Sequence, residues 1–390
     1  MTIPAQINAL HSEMSAWRQH LHRHPETAYE EVETAAFIAE KLCDFGLTPH
    51  TGLAKTGVVA SLSAGTGTRA IALRADMDAL HIHERSELAY QSIVPGKMHA
   101  CGHDGHSTML LGAAKYLAKH QKFNGTVHFI FQPAEEGRAG ARLMLEEGLF
   151  EKFPCESVFG MHNFPNIPTG HFAIKAGPIM AGLDCFEITL TGVGSHAAKP
   201  HLGQDPIVAA SYLINALQSI VSRNVNPADS AVVTITQLHS GQTWNAIPEQ
   251  VILKGTFRCF KASVQQLIEA RIRQLTETLS AAFNVQGAVV FNPENPGYPV
   301  TSNSVAETEI AAQVATSLVG ELAVDLNPEP SMGSEDFSFL LQQKPGCFVW
   351  IGNGAGAGCG QLHNPYYDFN DEILPIGVSY WVKLVETILS

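Results

Sequence analysis

The run GTVHFIFQ at Gly125–Gln132, followed at once by Pro133-Ala-Glu-Glu-Gly137, decides the fold class. Its apolar residues are nearly continuous, and β-branched and aromatic side chains dominate, so it reads as a buried strand ending in two carboxylates. Upstream, Gly57–Leu62 (GVVASL) and Ala70–Leu73 (AIAL) are short apolar runs bounded by Gly, Ser, Thr or charge, hence strands too. Leu10–Leu21 and Gly105–Lys119 carry helical patterns. Downstream, Ala139–Gly148 reads as a helix stopped by glycine, and Ser157–His162 (SVFGMH) as another strand. Strands alternating with helices predict an α/β domain around a largely parallel sheet.

The texture changes near residue 182. Asp184–Thr191 alternates, Ile207–Val221 is helical, and Ala231–Leu238 and Gln250–Arg258 alternate again. An amphipathic helix follows, with Val264, Leu267, Ile268, Ile272, Leu275, Leu279 and Phe283 on one face, and strand Ala288–Phe291 ends the block. The order strand–helix–strand–strand–helix–strand predicts a ferredoxin-like α+β domain over residues 182–294, inserted into an α/β domain of residues 1–181 and 295–390. Asn292–Pro299 (NPENPGYP) marks the return.

The 390 residues suit about two domains of roughly 150 residues each. Hydrophobic content of 45% supplies a core, and 16% charged residues argues against disorder. With 24 Lys+Arg against 37 Asp+Glu, the chain repels phosphate backbones, so no nucleic-acid partner is expected. Seven Cys without framework spacing exclude a disulfide-stapled scaffold. No signal peptide and no membrane-spanning run is read, so the expected location is the cytoplasm. None of this accounts for 18 His.

Chemistry-bearing residues gather at the ends of the expected strands. Asp76 and Asp78 follow AIAL, Glu135 and Glu136 follow GTVHFIFQ, and His162 ends SVFGMH. Cys101 and His103 stand before a helix in His99-Ala-Cys-Gly-His-Asp-Gly-His106, and His363 lies in the loop Gly360-Gln-Leu-His-Asn-Pro365. Each item alone has a plain structural reading: a buried thiol with a capping imidazole, or a solvated Glu pair favoured by a helix dipole. Together, at the carboxyl ends of strands where open α/β sheets place ligands, they point to a metal site.

The ordered segments ADMDAL, HACGHDGH, QPAEEG, MHNFP, GSHAAKPH, GSEDF and LHNPYYDFND, with the N-terminal LHRHPETAYEE, resemble the metal-dependent amidohydrolases of the M20 peptidase family. The similarity is to its hippurate hydrolase/N-acyl-amino-acid amidohydrolase branch, which includes plant auxin-conjugate hydrolases. The resemblance implies a zinc-peptidase-like catalytic domain carrying an inserted lid or dimerisation domain, and a homodimer or homotetramer. It also implies two divalent metal ions held by Cys101, His103, Glu136, His162 and His363. Metals so placed activate a water and polarise an amide carbonyl, with Glu135 as the base that stays off the metal. Asp78 matches a carboxylate that orients a ligand; Asp76 stands where relatives outside the branch carry a histidine. His196 is similar to a lid residue that stabilises the oxyanion, in cis or across a subunit interface. Asn245 and Arg258 resemble lid groups that hold a substrate carboxylate.

The implied reaction is hydrolysis of an N-acyl amino acid to a carboxylic acid and a free amino acid. A metallo-dipeptidase and a non-catalytic metal-dependent binding protein stand as alternatives. A thiolate with imidazoles suits Zn, Co or Ni, and the carboxylate tolerates Mn. His20, His22 and His24 do not share a helix face and are expected to be solvated or to cap. His81 replaces the family's proline, and the Gly-rich stretch Gly352–Gly360 reads as a loop bordering the site.

Overall fold

The structure is a computed structural model that describes residues 3–294, 296–354 and 360–390. The expected boundary at 295 and residues 355–359 of the glycine-rich loop lie outside the described residues. The chain divides into two compact units, one of Met1–Ile179, Ser302–Glu329 and Asp336–Ser390, the other of Met180–Thr301 and Pro330–Glu335.

In the first unit an eight-stranded sheet runs in the order Pro49–Leu53, Gly57–Ala64, Gly125–Gln132, Ala70–Asp76, Ser157–Pro165, Gly346–Gly354, Phe172–Ala173 and Val324–Asp325. Its four central strands are mutually parallel. Gly57–Ala64 joins them antiparallel on one side and Phe172–Ala173 on the other, so the sheet is mixed, with the parallel part at its centre. Those central strands are buried almost throughout, which is why their apolar runs do not alternate. Helices His11–Arg23, His103–His120 and Leu374–Ile388 pack together over the sheet, and Met109, Leu110, Phe129, Phe159 and Trp381 are among the core residues. Register aligns Asp76 with Gln132 and His162 with Trp350, so the acidic and imidazole residues emerge together at one end of the sheet.

The second unit carries a four-stranded sheet in the order Ala231–Ser240, Gln250–Cys259, Gly182–Thr191, Gln286–Phe291, antiparallel throughout. With helices Pro206–Ser219 and Ala262–Ala282, this is the ferredoxin-like arrangement. Asp205 caps the first helix, its Oδ1 accepting from Ile207 N at 2.8 Å. The buried line of the second helix runs Val264, Ile268, Ile272, Thr276, Ser280, with Leu267, Leu275, Leu279 and Phe283 flanking it. The two hydroxyl residues fall on that line because Gly287 of the sheet approaches so closely that a Cβ there would lie 2.1 Å from Ser280 Oγ.

Candidate active site

Helix His103–His120 begins one residue after Gly102, whose φ of +90° turns the chain between Cys101 and His103. A Cβ at Gly102 would meet Asn163 Oδ1 at 2.3 Å and Tyr367 Oη at 2.7 Å. Glycine is therefore required there, and it sets Cys101 and His103 side by side. Glu135 and Glu136 leave strand Gly125–Gln132 through a turn, while His162 lies within strand Ser157–Pro165. His363 takes a left-handed backbone, φ +64°, and is tied by its N–H to Ala100 O at 2.8 Å.

These residues converge. Ligand-type atoms of Cys101, Glu136 and His363 all lie within 4.8 Å of one another, as do those of His103, Glu135 and Glu136. Glu136 Oε1 is 3.2 Å from His363 Nε2 and 4.0 Å from His103 Nε2; Cys101 Sγ is 3.4 Å from His162 Nε2. His162 Nδ1 donates to Asn163 O at 2.6 Å, which leaves Nε2, facing Cys101 Sγ, as the nitrogen that carries the lone pair. Asp78 Oδ1 takes His103 Nδ1 at 3.1 Å, and Oδ2 accepts the backbone N–H of Glu136 at 3.0 Å. Glu135 is buried, and its Oε1 accepts the N–H of Asp336 at 3.3 Å.

The donor set fits divalent metals. His103 Nε2 is buried and has no hydrogen-bond partner among the described residues, an expensive arrangement unless a cation takes its lone pair. Nitrogen, thiol and carboxylate donors around it are those that bind zinc-like ions, and a Glu, a Cys and three His make enough ligands for two. Electrostatics agree. Burial alone would lower the pKa of His103, but Asp76, Asp78 and Glu136 outweigh it and push it up to about 10. Burial and the carboxylates of Glu136, Glu135 and Asp76 push the Cys101 thiol well above its ordinary range. So acidic a pocket around neutralisable ligands is one that positive charge stabilises.

His106 and Arg74, beneath the site, have no role assigned from the sequence. His106 Nδ1 lies 2.6 Å from Asp76 Oδ1, and its Nε2 2.7 Å from Asn163 Oδ1. Asp76 is fully buried and also accepts from Arg74 at 2.8 Å, which makes it part of the support under His103, 3.8 Å away. The available signals are the three-residue step from His103 to His106, which puts both on one helix face, and a lone Arg in an apolar strand.

His22 corrects an expectation. It is neither solvated nor a cap: it is 0% exposed, with Nδ1 2.9 Å from Asp104 Oδ2 and Nε2 3.2 Å from Glu84 Oε1. A helix buried on more than one face hides polar residues from any single-face count. His24 does cap, its Nδ1 2.8 Å from His20 O. His81 is exposed.

His196, Asn245 and Arg258 belong to the second unit. His196 and Asn245 meet there at a short ribbon: Ala246 pairs with His196, and Ala197 N donates to Asn245 O at 2.9 Å. His196 Nδ1 accepts from Ala198 N at 3.1 Å, which leaves Nε2 of the neutral ring as a donor. Arg258 is half-buried, with NH1 donating to Met332 O at 2.6 Å.

Residues 72–387 match peptidase family M20/M25/M40. The chain is 42% identical over 98% of both sequences to a hippurate hydrolase of Campylobacter jejuni. It is 41% identical to an N-acetyl-L-cysteine deacetylase of Bacillus subtilis, over 97% of this chain and 88% of that one. Its structure superposes with a TM-score of 0.84 on a dinuclear metal-binding M20 peptidase of Bacillus subtilis, 35% identical, covering 98% and 99% of the two chains. The chain thus belongs to peptidase family M20/M25/M40 and is a metal-dependent amidohydrolase of that family.

Proposed function

We propose that this chain hydrolyses N-acyl amino acids at their amide bond, releasing a carboxylic acid and a free amino acid. The observation that carries the reading is Glu135, a buried carboxylate within 4.8 Å of the ligand atoms of His103 and Glu136. The names of both curated relatives denote removal of an acyl group from an amino acid.

Cys101, His103, Glu136, His162 and His363 would hold two divalent ions, of Zn, Co, Ni or Mn. Such ions lower the pKa of a water and polarise the carbonyl it attacks. Glu135 takes one proton from that water as its oxygen bonds to the carbonyl carbon. It then delivers the proton to the amide nitrogen as the carbon–nitrogen bond breaks, so the amine leaves neutral. Asp78 fixes the His103 ring and the Glu136 backbone together. His196, with its free Nε2 donor, is assigned to the developing oxyanion, in cis or across a subunit interface. Asn245 and Arg258 are assigned to the carboxylate of the amino acid, an anion that local cations must attract against a net charge of -13.

The second unit is read as the lid. Exposed Val232 and Leu238 on its edge strand, with exposed Tyr212, support a homodimer or homotetramer formed through it. Among the described residues no helix is long and apolar enough to cross a membrane. The cytoplasm is the proposed compartment, because a reducing environment keeps Cys101 a free thiol.

The test is Glu135→Gln assayed on N-acetyl and N-benzoyl amino acids, with metal content measured alongside. Turnover is expected to fall by roughly 10²- to 10⁴-fold, the scale of lost acid–base catalysis, with both metals retained. Substantial residual turnover would remove the mechanism, and faster cleavage of dipeptides would remove the substrate class.

A further inference from the structure

The turn that carries Glu135 and Glu136 has a strained backbone. Ala134 and Ala139 sit at φ +56° and +51°, a left-handed conformation that L side chains adopt only at a cost, and Gly137 is at +76°. Both alanines are buried. Inside the turn, Gly140 N donates to Ala134 O at 3.0 Å.

Three carboxylates grip this turn. Glu31 Oε1 accepts the N–H of Ala134 at 2.9 Å, Asp78 Oδ2 that of Glu136 at 3.0 Å, and Asp336 Oδ2 that of Ala141 at 2.9 Å. All three are 1% exposed or less. Buried carboxylates are retained only where hydrogen bonds compensate their desolvation. Here each compensates by gripping one backbone amide of the same turn. They are anchored in their own right. Thr56 Oγ1 donates to Glu31 Oε2 at 2.8 Å. Asp336 Oδ1 accepts from Arg74 NH2 and Gln132 Nε2, both at 2.9 Å. Glu31 occupies the N-cap position of helix Val32–Asp44, yet its carboxylate makes no capping bond to that helix. It is committed to the turn instead. The N–H of Asp336 reaches Glu135 Oε1, so the same residue orients both the turn and the side chain of the base.

We infer that Glu31 and Asp336 are positioning residues for the hydrolysis, clamping the Ala134–Ala141 turn with Asp78 so that Glu136 faces the metals while Glu135 stays off them. This rests on Glu135 being the base, and a misplacement of about 1 Å in such a group can cost roughly 100-fold in rate.

The test compares Glu31→Ala and Glu31→Gln by kcat, KM, metal content and melting temperature, with metal affinity of the apo-protein measured by calorimetry. Glu31→Ala is expected to lower kcat about 10- to 100-fold with KM within about twofold, and to weaken metal binding through Glu136. Glu31→Gln still offers an oxygen to Ala134 and is expected to recover kcat to within about threefold of the unaltered enzyme. A Glu31→Ala enzyme with unchanged kcat overturns the inference. So does a Gln variant as slow as the Ala variant, since charge rather than the accepted N–H would then matter. If Glu31→Ala does not fold, Glu31→Asp, which withdraws the carboxylate by one methylene, replaces it: a lowered kcat supports the clamp and an unchanged kcat overturns it. An active Glu135→Gln enzyme removes the base assignment itself, whereas an inactive Glu135→Gln beside a fully active Glu31→Ala removes the clamp alone.

Discussion

Asp78 Oδ1 lies 3.1 Å from His103 Nδ1, so the ring proposed to offer its other nitrogen to a metal is turned by a carboxylate whose Oδ1 is engaged by that ring. An Asp–His pair of this kind fixes the tautomer and raises the basicity of the ligand nitrogen. In Asp78→Asn the ring can still be contacted, but the negative charge is gone, and an amide nitrogen presented to His103 or to Glu136 N repels a donor. The expected outcome is a loss of metal affinity of about 10- to 100-fold. Calorimetric titration of the apo-protein checks it, and an unchanged affinity would remove the positioning role.

Metal binding should release protons. With His103 held at about 10 and Cys101 well above its ordinary range, both proposed ligands carry a proton near neutral pH until a cation displaces it. His162 needs no such exchange: burial and neighbouring His106 hold it well below the ordinary imidazole range. Apparent affinity should therefore rise with pH, by up to about two log units per pH unit, between pH 6 and 9 (roughly two protons displaced). Calorimetry in buffers of different ionisation enthalpy counts the protons directly. A pH-independent affinity would contradict the charge states drawn here.

Gly102 offers a test of the backbone. Alanine there must take φ +90° and place its Cβ against Asn163 Oδ1 and Tyr367 Oη. Left-handed backbone and overpacking each cost about 1–3 kcal/mol, so Gly102→Ala is expected to destabilise the first unit by roughly 2–4 kcal/mol. Because the residue lies between two proposed ligands, metal content should fall with it. Urea unfolding and metal analysis report the two effects separately.

The chain's periodicities made the frame legible. Continuous apolar runs marked the buried parallel strands, and strict alternation in 184–191 marked a sheet covered on one face. Strand Gly57–Ala64 did not declare its antiparallel direction, because direction depends on connections and not on side-chain pattern. In the site, residues at strand ends and in one dense histidine motif could be found from position alone. The grip of Glu31 and Asp336 on the turn at Ala134–Ala141 could not, because the amides they hold lie 103 and 195 residues away and only folding brings them together. His22 was misread for a related reason. Helix His11–Arg23 meets several neighbours, and Met14, Trp17, Arg18, Leu21 and His22 are all buried.

His22 also sets a pH dependence of stability. Burial favours its neutral form, but hydrogen bonds to Asp104 and Glu84 outweigh that and raise its pKa from 6.5 to about 9. Two carboxylate partners, one on each nitrogen, require an imidazolium with both N–H groups donating. A folded-state pKa above the unfolded value means stability that is fully present below about pH 6.5 and is lost as pH rises through about 9. The linked change is on the order of 3 kcal/mol, an upper figure because the carboxylates readjust. His22→Gln removes the titrating group, so its stability should fall less than that of the unaltered chain between pH 6.5 and 9. His103 titrates in the same direction when no metal is bound, so the measured quantity is the difference in slope between the two proteins, by urea unfolding in the presence of chelator. Equal slopes would mean that His22 is neutral in the folded chain and that one of its carboxylate contacts is made by a protonated acid.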